Sequence, residues 1–308
     1  MKIIRFIKRE GYYGKVFESF VNPIIKHLSE DQYQIIDATF NRQKNTWEHE
    51  RPGNTFDVTF FSNVSYQHEF FISHGIADKL YREACNVGNF KYIGVSGQAW
   101  VDKYAKQGVD RSRIIVNGYT KLDPLFNIDN SQNFFSFEKT DKIRVLYAPT
   151  HNVNKDVNAS TVSSYPRLDK YLIDVPEDIE VIHSVHPANK VSCDTTFDLY
   201  KWADVVIADA GSTLYEAWAL DIPVVFPDFL VKSAVLSGFP GSFESQIYNE
   251  VIGYHAQNIG HMWQLIREAK QKGLDKKTKD FIEGIFPSEL RGNSGKVTAD
   301  ILVKLASE

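Results

Sequence analysis

The chain has 308 residues, a formal net charge of -4, 43% hydrophobic residues and two cysteines. That length suits two ordinary domains or one large one, and the composition is that of a soluble globular protein, not of a disulfide framework. No net basic field marks a nucleic-acid or anionic-lipid binder, and no window approaches the apolar length of a membrane span.

At the start, MKIIRFIKREGYYG carries an apolar run too short and too charged for a secretory signal. Cys85 and Cys193 are far apart and in no metal-like spacing, which fits a reducing cytoplasm. Strands are predicted at KIIRFI, YQIIDA, DVTFFS, EFFISHG, YIGVSG and RIIVNG. In KVFESFVNPIIKHLS, residues Phe17, Phe20, Val21, Ile24, Ile25 and Leu28 stand close to helical spacing. The polar stretch NIDNSQNFFSFEKTDK has no clear period and reads as a linker, with a boundary near Ser131 to Lys142. Strands follow at IRVLYAP, EVIHSVHP, DVVIAD and IPVVFP, the first leading into a long turn-rich loop, HNVNKDVNASTVSSYPRLDK.

Near-continuous apolar strands interleaved with helices predict an α/β protein built from two doubly wound, Rossmann-like lobes. The lobes are expected at residues 1–135 and 136–308, with the terminal helix free to pack back on the first. Ligands of such sheets bind beyond the carboxyl ends of the strands, where the strand order switches, so two lobes facing one another would hold a ligand in the cleft.

The residues at those ends are therefore the candidates. His74 and Gly75 follow EFFIS, Thr150 and His151 follow VLYAP, His186 and Pro187 follow VIHSV, and Gly211, Ser212 and Thr213 follow VVIAD. An imidazole titrates near neutral pH, which suits His74 to act as general base on a hydroxyl nucleophile. The plainer alternative is a hydrogen-bonded histidine capping the strand. His186, with Pro187 fixing the chain behind it, reads as a donor to a phosphate oxygen, while His183 should point the other way and be structural.

In DVVIADAGSTLYEAWALDIPVVF a strand ends at Asp209, turns tightly at Ala210 and Gly211, and enters a helix through two hydroxyl residues. A helix N-terminus carries partial positive charge and unpaired N–H groups, a ready phosphate site. Glu216 is placed to accept hydrogen bonds from a ribose diol; the alternative is a capping box that closes the helix start. The basic run REAKQKGLDKKTKD could touch a polyanion, but a solvated helix face is the expected reading. No carboxylate cluster suggests a bound metal.

Five pieces, in order, resemble the CDP-glycerol glycerophosphotransferase family, the teichoic-acid primases and polymerases. They are SHGIADK, VSGQAWVDKYAKQGVDRSRIIVNGYTKLDPL, VLYAPTH, HSVHP and ADVVIADAGSTLYEAWALDIPVVF, together spanning roughly residues 70 to 227. The resemblance implies the two-lobed glycosyltransferase-B fold, with the acceptor on the first lobe and the nucleotide on the second. It further implies that His74 is the base, that His186, Ser212 and Thr213 serve the donor's phosphates, and that Lys79 and Tyr119 lie near the cleft.

Two departures bear on the donor. His151 and Asn152 follow YAPT where the family usually has an aromatic and then a basic residue, and Glu216 stands where Asp is common. Two reactions remain open. An acceptor hydroxyl attacks the β-phosphorus of CDP-glycerol and CMP leaves, or it attacks the anomeric carbon of a nucleotide sugar. Either needs a nucleotide-activated donor but no tightly bound cofactor or metal. The acceptor is a polymer, a polyol or a modified nucleic-acid base, with no integral membrane contact expected. A non-catalytic nucleotide-binding module is the third reading.

Overall fold

Strands such as KIIRFI and DVVIAD are apolar on both sides of the pleat, a pattern that is buried only when helices cover both faces of a sheet. The computed structural model describes residues 2–9, 12–50, 52–61, 68–73, 75–78, 87–127, 140–151, 161–185 and 196–308, and it contains two such sheets. The chain divides into a first unit, Met1–Ile76, Tyr81–Asp129 and Glu283–Glu308, and a second, Ala77–Leu80 and Asn130–Ile282. Each of the ten predicted strands has a counterpart.

The first unit's sheet has the order β3-β2-β1-β4-β5-β6-β7. Its strands are β1 Ile3–Arg9, β2 Tyr33–Asn41, β3 Thr46–Glu48, β4 Thr55–Thr59, β5 Phe70–Ile72, β6 Tyr92–Val95 and β7 Ile114–Val116. Every pairing is parallel except β2 with β3, a hairpin absent from the sequence expectation. Ile4, Phe6 and Ile7 of β1 are fully buried, and the helix Tyr12–Ile25 packs Phe17, Phe20, Val21 and Ile24 inward. That helix ends four residues short of the expected run.

The chain's last helix, Ser294–Ser307, is part of this unit. The Asp123 carboxylate accepts from its Ser294 and Gly295 N–H groups at 3.2 and 2.6 Å. Gly295 is required there, because a Cβ would lie 2.1 Å from the Pro23 carbonyl oxygen of the first helix.

The second unit's sheet is wholly parallel, in the order β12-β11-β10-β8-β9. Its strands are β8 Ile143–Tyr147, β9 Ile179–His183, β10 Val205–Ile207, β11 Val224–Phe226 and β12 Tyr254–His255. The helix Ile259–Lys272 covers one face, burying Met262, Trp263, Ile266 and Ala269 in the same core as Val145, Tyr147, Val205, Ile207 and Val225. Its outer face carries the first part of the basic run, with Arg267 paired to Asp178 and Lys272 to Glu268 as exposed pairs, each at 2.7 Å, which is the solvated face expected. Among the described residues no helix is long and apolar enough to cross a membrane.

One ion cluster in this unit yields a pH prediction. Burial pushes the Asp204 carboxyl up, but Arg144 and Lys270, at 2.9 and 2.7 Å, outweigh it and lower the carboxyl to about 2. A depressed carboxylate stabilises the fold above its unfolded value of about 3.9, and the contribution disappears as pH falls toward 2. Asp204→Asn should therefore cost about 1–2 kcal/mol at pH 7, discounted for its partly exposed partners. Urea midpoints of the two proteins should converge near pH 2; a constant gap would remove Asp204 from the acid response.

Candidate functional site

The second sheet switches direction at β8. The chain first adds β9 on one side, then crosses back to lay β10 on the other, so the loops leaving β8 and β10 part at the carboxyl edge. These loops contain Thr150, His151, Gly211, Ser212 and Thr213, which the fold thus brings together with Glu216 in the second unit.

Asp209 ties the two loops to one another. It is 1% exposed. Its Oδ1 accepts from the N–H groups of Thr150 and Ala210, both at 2.7 Å, and its Oδ2 from the Ser164 N–H at 2.7 Å and hydroxyl at 2.8 Å. Burial pushes its carboxyl up, while the backbone donors of Ser164, Thr150 and Ala210 pull it back. The Asp209 carbonyl in turn accepts the Tyr248 hydroxyl at 2.9 Å. The Thr213 hydroxyl donates to the Ala148 carbonyl at 3.0 Å, fastening the helix start to the end of β8.

The helix Ser212–Ala219 begins on Gly211, with extended backbone and no side-chain cap. Two other helices of the unit are capped: Ser242 accepts from Ser245 N–H, and Asn258 from His261 N–H. No side chain caps the first N–H groups of this helix, and a helix start beside small residues suits an anion. Ser212 and Thr213 are half-buried; the Ser212 hydroxyl oxygen receives the Ala77 N–H at 3.5 Å. Glu216 is the fifth residue of the helix, too far along to close a capping box, and is 1% exposed. Its Oε2 accepts the Tyr200 hydroxyl at 2.9 Å.

Arg167 was not a sequence candidate. Its Nη2 donates to the carbonyls of Thr161 and Ser163 at 2.8 and 2.9 Å, while its buried Nε has no hydrogen-bond partner among the described residues. Burial lowers its pKa, with Asp209 opposing that shift. The sequence signal was only an arginine inside a long loop after a strand.

His74, Lys79 and His186 lie outside the described residues, as do both cysteines and most of the expected linker. Tyr119 belongs to the first unit, where it is buried between Phe20 and Phe286 with ring centroids at 5.3 and 6.2 Å. His183 is exposed at the end of β9, edge-on to Tyr147. Among the described residues the one cluster able to hold a metal ion is His49, Asp57 and His68, in the first unit.

Two doubly wound units of this topology define the glycosyltransferase-B fold, and comparison with solved structures shows the same. The wall teichoic acid polymerase TagF matches over 99% of this chain and 89% of its own, with a TM-score of 0.60 at 16% identity. A TagF variant soaked with CDPG matches with a TM-score of 0.63, again at 16% identity, covering 99% of this chain and 88% of that one. The UDP-GlcNAc 2-epimerase of Neisseria meningitidis bound to UDP-GlcNAc matches at 0.58 with 9% identity, over 99% of this chain and all of that one. The sequence matches no protein-family model and no curated protein.

Proposed function

We propose that this protein transfers an activated group from a nucleotide-diphosphate donor to an acceptor hydroxyl. The observation that carries this reading is the β8–β10 switch point, where an uncapped helix N-terminus meets a loop pinned by Asp209. The donor's phosphates lie at the Ser212 and Thr213 N–H groups, with the Arg167 guanidinium and the loop holding His151 alongside, and His186 is assigned to the same phosphates. The ribose meets Glu216, which Tyr200 orients. As the bond to the leaving phosphate breaks, its growing negative charge faces donors already in place, which costs no reorganisation.

With CDP-glycerol as donor, His74 takes the proton of the acceptor hydroxyl, the oxygen attacks the β-phosphorus, and CMP leaves. The soak of a TagF variant with CDPG supports this choice by likeness of fold. A sugar donor is the second reading. It is favoured by Glu216 in place of Asp and by neighbours solved with UDP or UDP-GlcNAc, such as S. aureus MnaA (TM-score 0.57, 12% identity, covering 99% of this chain and 97% of that one).

The test is calorimetry and melting with CMP, CDP-glycerol, UDP and UDP-GlcNAc, followed by product analysis with the ligand that binds. A ligand at about 100 times its Kd should stabilise the native protein by about 2.7 kcal/mol. Glu216→Ala should weaken the nucleotide by about 1–3 kcal/mol, the cost of unpairing a buried hydrogen-bonding group. Unchanged affinity in a folded variant would confine Glu216 to packing against Tyr200. Absence of any nucleotide effect would sink the donor reading itself.

A further inference from the structure

We propose that the first unit holds a divalent zinc-type ion between His49, Asp57 and His68, independently of the transfer reaction above. The three residues are distant from one another in the chain's local patterns: His49 follows β3, Asp57 is the middle residue of β4, and His68 stands two residues before β5. The fold gathers them under cover. The side chains of His49 and Asp57 are 1% and 0% exposed, and His68 is 1% exposed.

The spacing fits one ion. The Nε2 atoms of His49 and His68 are 3.2 Å apart, and His49 Nε2 lies 3.7 Å from Asp57 Oδ2. All three ligand atoms fall within 4.8 Å of one another. Two nitrogens bound to zinc at about 2.0–2.1 Å across a tetrahedral angle are about 3.3–3.4 Å apart. Imidazole with carboxylate is a donor set suited to zinc and its neighbours in the first transition row.

The surroundings orient His49 and Asp57 as a metal site requires. His49 Nδ1 is 2.9 Å from the Glu50 carbonyl, which can only accept, so the proton sits on Nδ1 and the Nε2 lone pair faces the centre. A ring N–H held by a carbonyl is the usual support of a metal-bound histidine. Arg5 fixes the carboxylate, donating from Nε to Oδ1 and from Nη2 to Oδ2 of Asp57, both at 2.8 Å. Arg5 Nη1 also donates to the Glu50 carbonyl at 2.9 Å, so one guanidinium braces two ligands. Glu69, whose Oε2 accepts the Asp57 N–H at 2.7 Å, adds a second carboxylate against the positive charge. The ion would clamp the end of the β2–β3 hairpin onto the sheet.

Untagged full-length protein, stripped with chelator and exposed to zinc chloride, should retain about one zinc per chain and melt at a higher temperature. His49→Gln and His68→Asn should each weaken zinc at least about tenfold and abolish the zinc-dependent rise in Tm, with circular dichroism reporting the fold. Cobalt loading of the wild-type chain needs no variant: a tetrahedral visible spectrum supports the site, and an octahedral aqua-like one overturns it. Failure of the wild-type protein to retain zinc, or uptake unchanged in a folded double variant, also overturns it. The two imidazoles would then share a single proton across their 3.2 Å contact.

Discussion

Asp209→Ala should lower the stability of the second unit by about 3–5 kcal/mol, because it strands several buried donors that cost about 1–3 kcal/mol each. Three backbone N–H groups and the Ser164 hydroxyl converge on this carboxylate, and alanine leaves all of them buried without an acceptor. The loops after β8 and β10 would then part, so nucleotide affinity should fall with stability even though Asp209 is not assigned to the ligand. Asp209→Asn keeps one carbonyl oxygen for the Thr150 and Ala210 N–H groups but turns an amide toward Ser164, and should fall between. Urea denaturation of both variants, read alongside calorimetry, measures the two effects. A wild-type midpoint for the alanine variant would show that the loops hold their form without the carboxylate.

His74→Ala should reduce turnover by about 10²–10⁴-fold, the span typical of a lost general base. The proposed donor pocket is assembled from second-unit residues, so donor affinity should be nearly unchanged. The wild-type rate should decline as pH falls and the imidazole takes up a proton. A histidine that merely caps its strand predicts another pattern, with stability and donor affinity dropping together and no pH limb. Turnover, affinity and Tm measured on one preparation separate the two. A folded, active variant would sink the base assignment.

How much of this was legible beforehand differs from element to element. Most of the ten strands were readable because a strand buried on both faces has a near-continuous apolar run; β2, buried only at Ala38, is the exception. β3 and β12 were not readable: TWE and YH, three and two residues long, stand outside any long apolar run. The β2–β3 hairpin did leave a signal: Asn41 accepts from the Gln43 and Lys44 N–H groups, and Asn45 takes a positive φ of 53°. Glu216 stood in the sequence as either a helix cap or a ribose ligand. The structure shows the helix starting on Gly211, with Tyr200 holding the Glu216 carboxylate.

By itself the sequence determined the α/β class, the parallel sheets and the hydroxyl-bearing turn at Gly211, Ser212 and Thr213. Each is written in residues adjacent in the chain, where side-chain period and turn chemistry act locally. Only the tertiary structure decided that Asp209 bonds Thr150 and Ser164, 59 and 45 positions away. The same holds for Tyr200 reaching Glu216, and for Arg5 bracing Asp57 beside two histidines. A buried polar group must find its partner wherever the topology delivers one, and strand order, not local pattern, sets which partner arrives.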